Sequence, residues 1–269
     1  ELSFGTSSLG SMPDTYGYEV PEQRAQETLK RFFQGPVNLL DTSRNYAMGE
    51  SEKRIGIAIK ENGGWPENFV LSTKIDRNMD TLILDKKRTR ESIEESLKAL
   101  NVDSVDVLFL HDPEYVKDIN DVTKKDGALD ELFKIKEEGL AKAVGLAMGR
   151  IDIMFPILRK WDFDVIINHN RYTLLNREAD EMYSYAHSKN ISIFNAAPYA
   201  GGVLAKGPSN FKKITYQDAT EEKLAPAIEI EKVCKKYNVE MGAAALQFSM
   251  KDKRITSTIC GVTSVQSIE

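Results

Sequence analysis

Short runs of β-branched and other apolar residues alternate along the whole chain with stretches whose apolar positions recur at helical spacing. The runs predicted to be strands are Leu2 to Thr6, Val37 to Leu40, Phe69 to Ser72, Val105 to Leu110, Lys142 to Leu146, Val165 to Ile167, Ile191 to Asn195 and Ser257 to Cys260. Between them lie helical patterns such as Arg90 to Leu100. There Ile93, Leu97 and Leu100 fall on one face, and Glu91, Glu94, Glu95 and Lys98 on the other. Gly139 reads as the C-terminal stop of a helix over Asp130 to Glu138. Pro226 reads as a first-turn residue of a helix over Leu224 to Tyr237, where a missing N–H costs least.

Strands alternating with helices predict an α/β fold with a parallel sheet, either an open doubly wound sheet or a closed barrel. An open dinucleotide-binding sheet would carry Gly-x-Gly-x-x-Gly after its first strand, and the sequence contains no such run. Eight strand candidates and no Pro/Gly/Ser-rich linker favour a (β/α)8 TIM barrel forming a single domain over residues 1–269. Both ends read as clipped within elements, so terminal segments are expected to be missing. The longest irregular stretches, Gly10 to Pro21, Asp112 to Asp126 and Ala200 to Thr220, all follow predicted strand C-termini, where barrel enzymes carry their working loops.

Composition narrows the partners. The net charge of -5, with acidic and basic residues interleaved, offers no surface for a polyanion, so nucleic acid is not expected. No run approaches the roughly 18 apolar residues of a membrane span, and no leader precedes Leu2. Cys234 and Cys260 lack the spacing of a disulfide framework or zinc site and read as reduced thiols. The expectation is a soluble, cytoplasmic protein without metal that acts on a small molecule; its oligomeric state is not readable.

The informative polar residues are those placed directly after apolar strands, because such side chains point into a barrel's C-terminal mouth. Asp41, Lys74 and His111 each end a strand, and Tyr46 follows Asp41 by five residues. A carboxylate, an ammonium, an imidazole and a phenol suit carbonyl reduction or alcohol oxidation, since a hydride moving to or from carbon must be matched by a proton at oxygen. Tyr46 would exchange that proton. A phenol's ordinary pKa is about 10, so Lys74 is expected to favour its phenolate, with Asp41 holding the ammonium and His111 orienting the substrate oxygen. Each residue alone also has a purely structural reading: an ordinary ion pair, a loop aromatic, a core histidine. Their placement at successive strand ends favours chemistry.

These residues resemble the signatures of the aldo-keto reductase superfamily, over nearly the whole chain. Asp41-Thr42-Ser43-Arg44-Asn45-Tyr46, followed by Gly49-Glu50-Ser51-Glu52 and Gly56, is similar to its first signature, and Ser72-Thr73-Lys74 to its second. Ser96-Leu97-Lys98-Ala99-Leu100, then Asp103, Asp106 and Leu110-His111, resembles a third block. The resemblance implies a (β/α)8 barrel binding NADP or NAD, with Asp41, Tyr46, Lys74 and His111 as a catalytic tetrad. His111-Asp112-Pro113-Glu114 and Asn170-Arg171-Tyr172-Thr173-Leu174-Leu175 are similar to the branch that oxidises C1 of aldoses such as fucose or threo-aldoses.

Some cofactor contacts of the family are altered. Ala147-Met148 stands where many members have Ser-Asn to hold the nicotinamide amide, so Asn168, with His169 and Asn170 beside it, becomes the candidate amide partner. Tyr199 lies two residues beyond the position of the usual stacking aromatic. Ala200, Gly201, Gly202 and Leu204 are expected at the pyrophosphate. Gly261, Val262, Thr263 and Ser264 align with a loop that in NADP-dependent relatives carries an arginine for the 2′-phosphate, and the arginine position here is Thr263, so NAD is expected to compete. The leading reading is an NAD(P)-dependent aldose dehydrogenase. The alternatives are a general NADPH-dependent aldehyde or ketone reductase, favoured if Phe109, Trp161 and the loop after His111 form an apolar pocket, a non-catalytic cofactor-binding regulatory subunit, and a barrel with lyase or isomerase chemistry.

Overall fold

The computed structural model describes residues 1–269. Its strands are β1 (Leu2–Gly5), β2 (Leu39–Asp41), β3 (Val70–Ile75), β4 (Val105–His111), β5 (Ala141–Met148), β6 (Val165–His169), β7 (Ser192–Ala196), a short hairpin of β8 (Lys213–Ile214) with β9 (Gln217–Asp218), and β10 (Ser257–Gly261). All except the hairpin join in the order β1-β10-β7-β6-β5-β4-β3-β2, a closed barrel. The registers are parallel, with Asp41 beside Ser72 and Lys74 beside Phe109. The eight strands are those predicted from the apolar runs, with ends moved by three residues at most.

The helices are α1 (Pro13–Tyr16), α2 (Glu22–Phe33), α3 (Glu50–Glu61), α4 (Lys86–Leu100), α5 (Asn120–Thr123), α6 (Ala128–Glu137), α7 (Ile151–Leu158), α8 (Asp180–Ser188), α9 (Val203–Lys206), α10 (Glu221–Lys236), α11 (Met241–Met250) and α12 (Val265–Ile268). No helix is long and apolar enough to cross a membrane. The three long irregular stretches contain short elements: α1 in the first, a 3-10 turn at Pro113–Tyr115 with α5 in the second, α9 and the β8–β9 hairpin in the third.

The chain packs as two compact units, residues 3–166 with 261–269, and residues 1–2 with 167–260. In the first, α4 starts at Asp85, whose side chain caps the N–H of Arg88 at 2.8 Å. Its buried face is Thr89, Ser92, Ile93, Ser96 and Leu100, while Leu97 is only half buried. Hydroxyls therefore share a face that apolar periodicity alone would fill with aliphatics. The helix crosses α3 so closely that a Cβ on Gly56 would stand 2.0 Å from the carbonyl oxygen of Ala99. Backbone cannot yield as a side-chain tip can, so only glycine fits.

In the second unit, Ala200, Val203, Leu204, Leu224, Ala227, Met241 and Ala245 form a core that joins α9, α10 and α11. Arg254 binds Asp252 (2.6 Å), the Asp180 carboxylate (2.8 Å) and the Tyr172 hydroxyl (3.0 Å), and Tyr172 in turn donates to Asp252 (2.6 Å). Asn195 spends both amide protons inside the unit, on Tyr172 O and Ser249 Oγ. The α10 helix begins at Glu221 behind a Thr220 cap, three residues before the predicted start. Pro226 consequently sits inside the helix rather than in its first turn, and leaves the Glu222 carbonyl without an intrahelical donor. Cys234 and Cys260 are free and buried.

Glu52 of α3 is fully buried and accepts a hydrogen bond from Thr73 Oγ1 at 2.6 Å. Burial pushes its carboxyl from the ordinary 4.5 up to about 7, against the lowering effect of that bond. A folded-state value above the unfolded one favours the neutral acid, so this contribution is fully present below about pH 4 and is lost as pH rises through 7, on the order of 3 kcal/mol in all. Glu52→Gln is expected to melt at nearly the wild-type temperature at pH 5 and above it at pH 8; thermal melts across that range check the crossover. Gly56→Ala is expected to lower stability by about 2 kcal/mol or more, read from the urea midpoint.

Candidate active site

Three successive strands deliver the charged groups. Asp41 closes β2, Lys74 lies one residue before the end of β3, and His111 closes β4. Lys74 and Asp41 are almost wholly buried, with side-chain exposures of 2% and 5%, and Nζ lies 2.7 Å from Asp41 Oδ2. The other carboxylate oxygen, Oδ1, accepts from Ser72 Oγ at 2.8 Å. An ammonium has three protons. Lys74 directs them to Asp41 Oδ2, to the Thr42 carbonyl at 2.5 Å and to the Tyr46 hydroxyl oxygen at 3.1 Å. With its oxygen accepting from Lys74, Tyr46 is left to donate its own proton elsewhere.

Tyr46 is held there by a pinned loop. Thr42 N bonds Ser72 O, Arg44 N bonds Lys74 O, and Asn45 N bonds Asp76 Oδ2 at 2.9 Å. The Arg44 guanidinium reaches Glu95 of α4 at 2.7 Å, and Arg88 grips the same carboxylate with two bonds. Those partners, Arg88 foremost, hold the Glu95 carboxyl down at about 2. Directly after Tyr46 the chain turns left-handed at Ala47 (φ 51), Met48 (φ 56) and Gly49 (φ 94) before α3 begins. Two non-glycine residues in that region cost on the order of 1 to 2 kcal/mol each, an expense the anchored loop must offset.

The imidazole has a partner that the sequence reading missed. Asp76, the residue after β3 and fully buried, places Oδ1 2.7 Å from His111 Nδ1. Its other oxygen, Oδ2, receives the Ser43 hydroxyl and the Asn45 N–H, and its own N–H donates to Ser92 Oγ on α4. Burial alone would raise the Asp76 carboxyl, yet His111, Ser43 and the Asn45 amide outweigh it and hold it below the usual range. Burial would likewise lower His111, but Asp112 and Asp76 carry it above its ordinary value. The available signal was the spacing Lys74-Ile75-Asp76, which puts a second charge on Lys74's side of the strand.

One expectation is overturned. Lys74 does not bring Tyr46 toward the phenolate; its hydroxyl stays well above 10, through burial first and then through Asp41, Tyr16, Asp112 and Asp76. The Asp41 carboxylate at contact largely cancels the ammonium's field, and three further acidic groups add to the negative side. The Lys74 ammonium also lies 4.7 Å from the Tyr46 ring centroid, and the Tyr46 and His111 rings meet edge to face at 5.9 Å. As built, the cluster is suited to donating a proton from a neutral phenol, with an imidazole beside it whose charge is supported by carboxylates.

The second unit holds the other candidates. Asn168 is fully buried on β6. Asn170, just after β6, is buried at a left-handed φ of 62, and its Oδ1 has no partner. A cavity of about 190 Å³ is lined by Asn170, Thr173, Ala200, Thr215 and Lys223. An orphaned carbonyl oxygen suits a carboxamide N–H, and hydroxyls with an ammonium suit a diphosphate, so these residues fit parts of a dinucleotide. Gly201 and Gly202 form the turn beyond Ala200, with φ of 78 and 120. Leu204 is committed elsewhere: its side chain is in the core and its N–H bonds Tyr199 O, so it serves packing. Tyr199 packs against the same core, its hydroxyl 4.0 Å from Cys260 Sγ. In the first unit, Gly261 ends β10, and the Thr263 and Ser264 amides are both taken by Ser267 Oγ in the cap of α12. Trp161 follows α7, on the side where β6 begins, and lines a surface groove with Asp126, Asp130, Phe133 and Lys134. It therefore forms no pocket with the loop after His111.

The aldo/keto reductase family model matches residues 1–269. The chain is 30% identical over 280 residues to L-galactose dehydrogenase of Arabidopsis thaliana, covering 100% of this chain and 82% of the relative. It is 27% identical over 286 residues to D-threo-aldose 1-dehydrogenase of a Pseudomonas species, covering 97% and 84%. In fold it is similar to an aldo-keto reductase of Bacillus halodurans, with a TM-score of 0.77 at 21% identity over 100% of this chain and 84% of the other. A strand-end cluster able to pair hydride movement with proton transfer thus stands in a chain matched over its full length, and the protein is an NAD(P)-dependent oxidoreductase belonging to the aldo/keto reductase family.

Proposed function

We propose that the chain, acting as one barrel domain over residues 1–269, is a dehydrogenase of aldoses or similarly hydroxylated small molecules, with Tyr46, Lys74, Asp41 and His111 as its catalytic residues. The observation that carries the reading is the Tyr46 hydroxyl, which accepts from Lys74 at 3.1 Å and so keeps its own proton for a substrate oxygen. Lys74 and Asp41 fix that oxygen's position and hydrogen-bond sense, and His111 offers a second contact to the same substrate atom. When bound, the nicotinamide accepts or supplies the hydride. The sugar assignment is supported by the likeness to L-galactose dehydrogenase and D-threo-aldose 1-dehydrogenase.

Asn168 and Asn170 are the residues that would hold the carboxamide, and Ala200, Gly201 and Gly202, with Thr173, Thr215 and Lys223, the diphosphate. Gly261, Thr263 and Ser264 would lie toward the adenosine. NAD is favoured over NADP there: Thr263 brings no charge, and both of the neighbouring amides are already bonded to Ser267. A missing charge-assisted pair to a 2′-phosphate forgoes about 1.5 to 3 kcal/mol.

Tyr46→Phe is expected to lower kcat by about 10³-fold or more while leaving the affinity for reduced cofactor near wild type, measured by nicotinamide absorbance and by fluorescence titration. Unchanged turnover would overturn the catalytic assignment. A panel of aldoses and simple aldehydes, run with each cofactor, is expected to give its highest kcat/KM for an aldose with NAD; a strong preference for NADP, or for simple aldehydes, would reject the respective half of the proposal.

A further inference from the structure

Asp76 constrains what His111 can do, and this inference deepens the reading of Tyr46, Lys74, Asp41 and His111 as the catalytic set. A carboxylate offers only lone pairs while ionised. With Oδ1 2.7 Å from Nδ1, and with Oδ2 already receiving Ser43 and Asn45, Asp76 is fixed as an acceptor toward the ring. The neutral imidazole with its proton on Nε2 would set the Nδ1 lone pair against that oxygen and is excluded. Two forms remain: neutral with the proton on Nδ1, where Nε2 accepts, or the imidazolium, where Nε2 donates. Asp112 Oδ2, 3.6 Å from Nε2, favours the second form once a proton has arrived.

We propose that Asp76 is a positioning residue that locks His111 in the Nδ1–H form and so makes Nε2 the acceptor of the substrate hydroxyl proton when an alcohol is oxidised. The balance is complete. The carbinol C–H leaves as hydride to the oxidised nicotinamide, the O–H proton passes to His111 Nε2, a C=O bond forms, and the imidazolium produced is shared between Asp76 and Asp112. In the reverse direction the same imidazolium returns the proton to the carbonyl oxygen. Tyr46 hydrogen-bonds that oxygen in both directions and stays a neutral phenol, as its acidic neighbours require. The groups facing His111 are Asp76 and Lys74 from the β3 side, Asp112 after β4, and the Tyr46 ring with Ser43 from the loop after β2.

The chain has only three histidines, His111, His169 and His187, so ring-nitrogen NMR of the ¹⁵N-histidine-labelled protein reads the tautomer directly, with His169→Gln and His187→Gln variants assigning the signals. The expected result is that neutral His111 carries its proton on Nδ1, and that Asp76→Asn weakens its proton affinity about tenfold or more. Alcohol oxidation is expected to rise with pH through the His111 ionisation in the wild type, and that limb to move to lower pH in Asp76→Asn, with carbonyl reduction declining over the same interval. If Asp76→Asn fails to fold, Ser43→Ala is expected to move the limb in the same direction by a smaller step, and the wild-type tautomer stands as a test by itself. A proton on Nε2 in neutral His111, or an unmoved pH limb in a folded Asp76→Asn protein, overturns the proposal. The parent reading is tested separately: Tyr46→Phe retaining turnover would remove it, whereas inactive Tyr46→Phe beside an unmoved limb would remove the Asp76 role alone.

Discussion

A buried ammonium must have every proton placed, and the site follows from how Lys74 satisfies that demand. Removing an ion of this size from water costs several kcal/mol unless a counter-charge and hydrogen bonds replace the lost hydration. Asp41 provides the charge, and the Thr42 carbonyl a second acceptor. The third proton is directed at Tyr46, so the phenol's orientation follows from the lysine's need for a partner. The same economy limits the lysine's electrostatic reach. Neutralised at contact, it acts mainly as a hydrogen-bond donor of fixed direction, which is why Tyr46 remains a neutral acid.

A second tier supports this arrangement from α4. Ser92 receives the backbone N–H of Asp76, and Glu95 binds Arg44 and Arg88 together. Neither residue touches the reacting groups. They fix the two ends of the segment that carries Ser43, Asn45 and Tyr46, while Asp76 joins that segment to the imidazole. Positional precision here comes from charge-assisted bonds between the β2–α3 loop and a helix packed outside the sheet.

Much of this was legible in the sequence because the relevant signals are local. Each barrel strand is a short apolar run, and Asp41, Lys74 and His111 stand out as polar residues at the ends of such runs. Asp76 escaped because it follows Lys74 so closely that it reads as the start of a loop, and only packing reveals His111 beside it. Glu52 looked like a solvated residue of an amphipathic helix, yet Thr73 draws it inward. The true start of α10 was hidden because Glu221, Glu222 and Lys223 carry no apolar periodicity, although Thr220 caps the helix through its side chain. The protonation of Tyr46 depends on four acidic neighbours, three of them distant in sequence from it or from one another, and no linear spacing encodes their sum.

The left-handed turn at Ala47, Met48 and Gly49 bears on how such a protein can diversify. Its backbone is compressed between a pinned phenol and the first turn of α3, and a Cβ on Gly49 would stand 2.1 Å from the Arg44 guanidinium. An inserted or deleted residue there would rotate the phenol out of register with the lysine. The stretches at 10–21, 112–126 and 200–220 carry only short elements of their own and can lengthen or change composition with far less penalty. Selection for new substrates is thereby channelled into those loops, while the group that handles the proton is inherited as a rigid cassette.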